Sequence, residues 1–266
     1  MDERGRPINA AIFFFGFLAG LTAFVLWKSS QKKKSNIARS EFWIYFEGEK
    51  LPPSERVMSY LMALKGMTSA EGLYFSDVRL HIALVKRSKN VSLFRPDLFH
   101  ANVEVDGAAL SQLSECHSLV RISFVSEAPL VNRNYLKFML GLARTYAELL
   151  DGKAIYDHNR SMLLTVQALP NATIGMAENL RIIKQTAPEG LVFLTSGLVG
   201  IQLPELETLP VPESERTNVE AIFNLLVEQI WNEGSIPQTA EFVHYDQLFR
   251  AEISAKNKVQ ISRIKR

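Results

Sequence analysis

The stretch Asn134–Leu150, NYLKFMLGLARTYAELL, decides the fold class. Its polar residues Lys137, Arg144 and Glu148, with Asp151 just beyond, follow three-and-four spacing around Gly141. That leaves a wide apolar surface from Leu136, Met139, Leu140, Ala143, Tyr146 and Ala147 with their neighbours. The spacing predicts a helix buried against a sheet or between elements, because a stripe so broad cannot face water. Gly152 is the expected stop. On either side the period changes to two. Downstream, Ala154–Tyr156 and Met162–Val166 read as strands or a hairpin around Asp157-His158-Asn159-Arg160. Upstream, LYFSDVRLHIALV (Leu73–Val85) sets Val78, Leu80, Ile82 and Leu84 against Asp77, Arg79 and His81, which is a strand with one wet face. Leu119–Val125 is a further strand, and Phe99–Val105 alternates up to the turn signal Asp106-Gly107.

Before these, Phe42–Phe46 (FWIYF) is either a first strand or an aromatic interfacial segment. Ser54, after Pro52-Pro53, caps a helix with Val57, Leu61 and Leu64 on one face before Gly66. In the last third, Thr173 is expected to cap a helix reaching Lys184, and Pro188-Glu189-Gly190 turns into the strand Leu191–Thr195. Thr217 with Glu220 forms a capping box for a helix whose stripe is Val219, Ile222, Phe223, Leu226 and Ile230. Gly234 ends that helix, and Phe242–Phe249 reads as an edge strand. Helices and strands alternate, but the first half pairs strands as hairpins, so the expected class is α+β rather than doubly wound.

The chain has 266 residues, 47% hydrophobic and 22% charged, with mean hydropathy +0.01 and net charge +2. This composition excludes a disordered protein. A single cysteine, Cys116, excludes a disulfide framework.

The N-terminal run Ile8–Trp27, INAAIFFFGFLAGLTAFVLW, carries no charge. At about 1.5 Å per residue it would span roughly 30 Å as a helix, so it predicts one transmembrane helix and a single-pass membrane protein. The run is longer than a signal-peptide apolar region, and Trp27 and a lysine cluster follow it, so it reads as an uncleaved anchor. The flanking cations Lys28, Lys32, Lys33, Lys34 and Arg39 form a membrane-proximal basic collar facing anionic lipid headgroups and favour a cytoplasmic body. Gly16 and Gly20 offer a small-xxx-small face for a homodimer through this helix. Residues 28–39 hold five positive charges and no negative one, residues 250–266 net +5, and residues 40–249 net −8. The organisation expected is an N-terminal tail (1–7), spanning helix (8–27), basic linker (28–40), α+β domain (41–249) and basic C-terminal tail (250–266). An acidic body without stacking aromatics on a basic face speaks against nucleic acid.

The chemistry-bearing motifs are sparse. The sequence has no Gly-x-Gly-x-x-Gly, no phosphate-binding Gly-Lys-Ser/Thr loop, no Gly-x-Ser-x-Gly and no His-Glu-x-x-His, and one cysteine makes no thiolate metal site, so neither cofactor nor metal is expected. The histidines are His81, His100, His117, His158 and His244. Cys116 beside His117 would be a nucleophile only with the imidazole in hydrogen-bond reach of the sulfur, and a buried cysteine is the default. Asp157-His158 could supply an acid–base histidine oriented by an aspartate, with Glu127 as a further carboxylate; the competing reading is a β-turn, where Asp and Asn bond their own backbone. Glu205 and Glu207 form a carboxylate pair on what reads as an exposed loop.

Leu194-Thr195-Ser196-Gly197-Leu198, followed by Ile201-Gln202-Leu203-Pro204-Glu205-Leu206-Glu207 and the capped helix up to Gly234, resembles the ending of a family of bacterial domains of unknown function. There a Thr-x-Gly-Leu turn leads into Gly-Leu-Pro-Glu-Leu-Glu. Ile201-Gln202 stands where that family often has glycine, and Gln238-Thr239-Ala240 stands near the place of its Asp-Gly-Asp. The buried helix followed by Ala154-Ile155-Tyr156-Asp157 is similar to an upstream stretch of the same family, so the resemblance covers about residues 118–245. It implies a bacterial origin and an α+β fold, and no catalytic residue.

The function expected from these readings is a membrane-anchored module that binds a protein partner or assembles at the membrane without catalysis. Two alternatives stand beside it: a tethered hydrolase-type enzyme with a site near Asp157 and His158, and an envelope or secretion-machinery component with its domain outside the cytoplasm.

Overall fold

The computed structural model describes residues 37–63, 78–99, 103–126 and 128–264. Strand β1 (Arg39–Phe46) organises the first half, because Phe42, Ile44 and Phe46 point to one side, Trp43 and Tyr45 to the other, and all five are buried. A strand apolar on both faces needs a central position with cover above and below. It has both. Among the described residues the first sheet runs β2 (Val78–Lys86), β4 (Ser118–Ser126), β1, β5 (Ala154–Asp157), β6 (Met162–Thr165), β3 (Glu104–Val105). Its pairings are antiparallel apart from the short parallel β3–β6 ladder.

Helix α3 (Asn134–Leu149) covers the Phe42–Ile44–Phe46 face with Tyr135, Leu136, Met139, Leu140, Ala143 and Ala147, and Tyr135 stacks on Phe124 at 5.2 Å. Helix α1 (Ser54–Ala63) packs on α3 through Val57 and Leu61. The opposite face is covered by the single turns Val91–Phe94 and Pro96–Phe99 and by α2 (Gly107–Gln112), whose Phe94, Phe99, Ala109 and Leu113 enclose Trp43 and Tyr45. Past α3, Asp151 takes φ +50°, and a side chain at Gly152 would meet Ile44 Cγ2 at 3.1 Å and the Ala147 backbone at 3.2 Å. The predicted stop is thus set by close approach.

The second sheet runs β10 (Thr239–His244), β11 (Gln247–Ile253), β12 (Lys258–Ile264), β9 (Glu207–Thr208), β8 (Gly190–Ser196), β7 (Arg181–Ala187). Helix α5 (Arg216–Glu233) lies over its inner face with Val219, Ile222, Phe223, Leu226, Val227 and Ile230, and the apolar cluster it joins is continuous with that under α3.

Several expectations change. Residues 8–27, read as a spanning helix, lie outside the described residues, and among the described residues no helix is long and apolar enough to cross a membrane. The long helices α3 and α5 are interrupted by Lys137, Arg144 and Glu148 and by Glu220, Glu228 and Glu233, charges that need water on one side. The class that stands is mixed α+β with two sheets; the transmembrane, single-pass part of the reading is withdrawn.

Residues 250–264, read as a basic tail, belong to β11 and β12: Phe249, Ala251 and Val259 face the core with period two while Arg250, Glu252 and Lys258 lie on the wet face. The helix expected from Thr173 to Lys184 shrinks to α4 (Met176–Asn179), because Arg181–Ala187 pairs with β8 across the tight turn before Gly190. Of the expected strand Phe99–Val105, Phe99 ends the turn Pro96–Phe99 and Glu104–Val105 forms β3, while 100–102 lie outside the described residues; Asp106 then caps α2 by accepting from Ala108 N at 2.8 Å. No side chain caps α5; Thr217 lies inside it, and Glu220 pairs with Lys184 at 2.6 Å.

Candidate functional site

Strand alternation separates the two residues expected to work together at the 157–160 turn. Asp157 lies opposite Phe42 and is buried, accepting from Asn159 N at 3.0 Å, Arg160 N at 3.2 Å and Arg160 Nε at 2.7 Å. Burial pushes its carboxyl above the ordinary aspartate range, against the pull of Arg160. This is a turn built by an aspartate on its own backbone. Arg160 is itself 7% exposed, and its Nη2 has no hydrogen-bond partner among the described residues.

His158 goes to the other face. Its N–H donates to Glu41 O at 3.1 Å, its Nε2 sits 3.8 Å from Glu41 Oε1, and its ring lies 4.4 Å from Trp43 and 4.1 Å from Tyr156. Glu41 is held by Arg121 Nε at 2.6 Å, Arg121 Nη2 at 2.9 Å and Trp43 Nε1 at 2.5 Å. Burial pushes His158 down to about 4, Glu41 pulling it up and Arg121 adding to the fall. Burial raises Glu41, but the Arg121 and Trp43 hydrogen bonds and the charges of His158 and Arg121 outweigh it and hold the carboxyl below its usual range. At neutral pH the cluster is a neutral imidazole between aromatic rings beside a carboxylate already satisfied by arginine. The imidazole Nε2 is enclosed and without a hydrogen-bond partner, so among the described residues it meets no hydroxyl or thiol to activate.

The other candidates disperse. Cys116 is buried, its Sγ donates to Gln112 O at 3.3 Å, and burial first, then Glu47 and Glu115, push the thiol up to about 12. His117 turns instead to Glu47 O at 3.3 Å, so the adjacent pair makes no dyad. His81 stands exposed on β2 opposite Ser123, and His244 ends β10. His100, Glu127, the collar residues Lys28, Lys32, Lys33 and Lys34, and the Gly16–Gly20 face lie outside the described residues; Arg39, the remaining collar residue, opens β1. Among the described residues no group of three or more His, Cys, Asp or Glu is placed to hold a metal.

Glu205 and Glu207 part company. Glu205 turns inward to the single-turn helix Leu198–Ile201, accepting from Gly197 N at 2.9 Å, Val199 N at 3.2 Å, Leu198 N at 3.3 Å and Thr195 Oγ1 at 2.7 Å. Gly197 sits at φ +127°, and a side chain there would meet Asn179 O at 2.3 Å. The Thr-x-Gly-Leu and Leu-Pro-Glu motifs are thus two halves of one structural clasp. Glu207 pairs with Lys258 across the parallel β9–β12 ladder.

The concavity that sequence reasoning missed lies where β10, β11, β12 and β9 meet, a groove of about 930 Å³. Leu203, Ile236 and Ile253, packed on the core, form its floor with Leu209. Its polar lining comes from the amides of Gln238, Asn257 and Gln260 and the hydroxyls of Thr239 and Ser254, and Glu252 and Lys258 add one charge of each sign. Its size falls within the usual range of ligand pockets. The period-two pattern of residues 247–264 was the available signal. Comparison with protein-family models, with curated proteins and with solved structures found no match.

Proposed function

We propose that the chain is a binding and assembly module, and that the groove between β9, β10, β11 and β12 receives a segment of a protein partner. The observation that carries this reading is the groove's chemistry: an apolar floor with amide side chains able to pair peptide N–H and C=O groups. The His158 cluster points the same way, since Arg121 and Trp43 occupy the Glu41 carboxylate and the imidazole meets no hydroxyl or thiol among the described residues.

The test is site-specific photo-crosslinking of the full chain in cells from Leu209, which is 42% exposed in the groove, against a control at fully exposed Val131. Discrete protein adducts from Leu209, lost when Ile236→Asp places a charge on the floor, support the reading. Adducts unchanged by Ile236→Asp, or equal from Val131, refute it.

A further inference from the structure

Arg160 brings a positive charge into the interior and engages it by one edge only. Its side chain is 8% exposed, and Nε donates to Asp157 Oδ2 at 2.7 Å. Nη1 and Nη2 make no hydrogen bond among the described residues, and Nη2 is enclosed. Asp157 Oδ1 is turned elsewhere, accepting from Asn159 N at 3.0 Å and Arg160 N at 3.2 Å. A buried N–H of a charged group without an acceptor is costly and rare in native proteins. The unmet Nη1–Nη2 end is also a fork of parallel N–H groups, the geometry that meets two oxygens of one oxyanion.

A second guanidinium approaches the same turn. Arg181, at the start of β7, donates from Nη1 to Ser161 O at 2.8 Å and Arg160 O at 3.4 Å. Burial pulls its pKa below the ordinary arginine value, Glu104 opposes the fall and the charge of Arg160 adds to it. Two guanidiniums therefore share one buried carboxylate, that of Asp157. The other acid, Glu104 of β3, lies 3.6 Å from Arg181 Nε with its side chain 61% exposed, too far for a hydrogen bond and too wet for a strong ion pair. The nearby hydroxyls are engaged in holding the turn to the end of β8. Ser196 Oγ donates to Asn159 O at 2.8 Å, so across the 3.0 Å contact between the two hydroxyls Ser161 is the donor.

A ligand with paired oxygens and more than one negative charge answers both observations, the unmet fork and the excess of buried positive charge. We infer that the Nη end of Arg160, backed by Arg181, is a binding site for an oxyanion of the phosphate class, which competes with Glu104 for Arg181. The site lies apart from the groove, whose lining includes none of these residues, so the two readings stand or fall separately.

The experiment titrates the full chain, labelled with nitrogen-15 in its arginines, with inorganic phosphate at an ionic strength held constant with sodium chloride. The arginine Nε–H signals are followed by NMR, that of Arg160 being assigned by its loss in Arg160→Lys. The expected result is a saturable movement of the Arg160 signal with a Kd on the order of 1 mM, and binding of acetate at least tenfold weaker. Phosphate should also raise Tm, and that increment should vanish in Arg160→Lys, which keeps a charge for Asp157 but loses the fork. Glu104→Gln, an exposed change, should tighten phosphate about two- to fivefold by removing the competitor. Should Arg160→Lys fail to fold by circular dichroism, Asp157→Asn combined with Arg160→Met removes the buried pair together and takes its place in the Tm comparison. An unmoved Arg160 signal, an equal response to acetate or chloride, a Tm increment that survives loss of the fork, or phosphate binding no tighter in Glu104→Gln overturns the site.

Discussion

Replacing Glu205 by alanine removes a carboxylate that accepts three backbone N–H groups, at 2.9, 3.2 and 3.3 Å, and the Thr195 hydroxyl at 2.7 Å. A hydrogen bond to a charged group is worth about 1.5–3 kcal/mol, and donors left unmet cost about 1–3 kcal/mol each when buried. Glu205 is half-buried, so water replaces part of what is lost, and the net expected cost is about 3 kcal/mol. For a folded unit of this size that lowers Tm by about 6–12 °C, and it is a large share of the roughly 5–15 kcal/mol that holds a domain together. Glu205→Gln retains one acceptor oxygen and should cost about half as much. Thr195→Val combined with Glu205→Ala should be strongly non-additive, because Thr195 Oγ1 donates to Glu205 and accepts from Leu206 N at 2.7 Å. Urea titrations followed by circular dichroism measure the parent, the two Glu205 variants, Thr195→Val alone and the double variant. A Glu205→Ala change within about 0.5 kcal/mol of the parent, or a stabilisation, would refute the clasp and mark Glu205 as a residue held at a cost to stability for some other purpose.

Acid should weaken the fold through His158. Its folded pKa of about 4 lies below the ordinary 6.5, so between these values the unfolded chain binds more protons and stability falls as pH drops from 6.5 to 4. The depressed Glu41 carboxyl acts in the same direction, its contribution present above the unfolded value and lost below it. After discounting for partial exposure the His158 share is about 1–2 kcal/mol, and urea midpoints at pH 7 and 4.5 should converge in His158→Gln; an unchanged slope would sink the assignment. Asp157→Ala strands the buried Arg160 guanidinium and should cost about 3–5 kcal/mol, read by the same titration, whereas a surface carboxylate would cost under about 0.5 kcal/mol. Cys116 should resist a thiol reagent at pH 8 in the folded protein and react fully in denaturant; rapid labelling of the native chain would contradict its burial.

Period and composition were enough to place α1, α3, β5, β6, β8 and α5, while Phe42–Phe46 stayed open between a strand and an interfacial segment until its pairing with β4 and β5 made it β1. They misread segments whose state depends on a distant partner. Arg181–Ala187 has enough apolar residues for a helix turn, but pairing with β8 decides for strand. The basic end of the chain looks like a tail until β9 and β11 flank Lys258–Ile264 on both sides.

The same division governs the site. The sequence by itself determined the class of fold, the buried helix, the inert setting expected for a lone cysteine, and the turn chemistry of Asp157 through Arg160, since these rest on neighbours within a few residues. Only the tertiary structure could decide that His158 meets Glu41 rather than Asp157, that Glu205 clasps the Leu198 turn while Glu207 leaves it, and that residues from 203 to 260 enclose one groove. Strand alternation sends adjacent side chains to opposite faces and cross-strand register chooses their partners, so adjacency along a strand does not tell which distant groups meet.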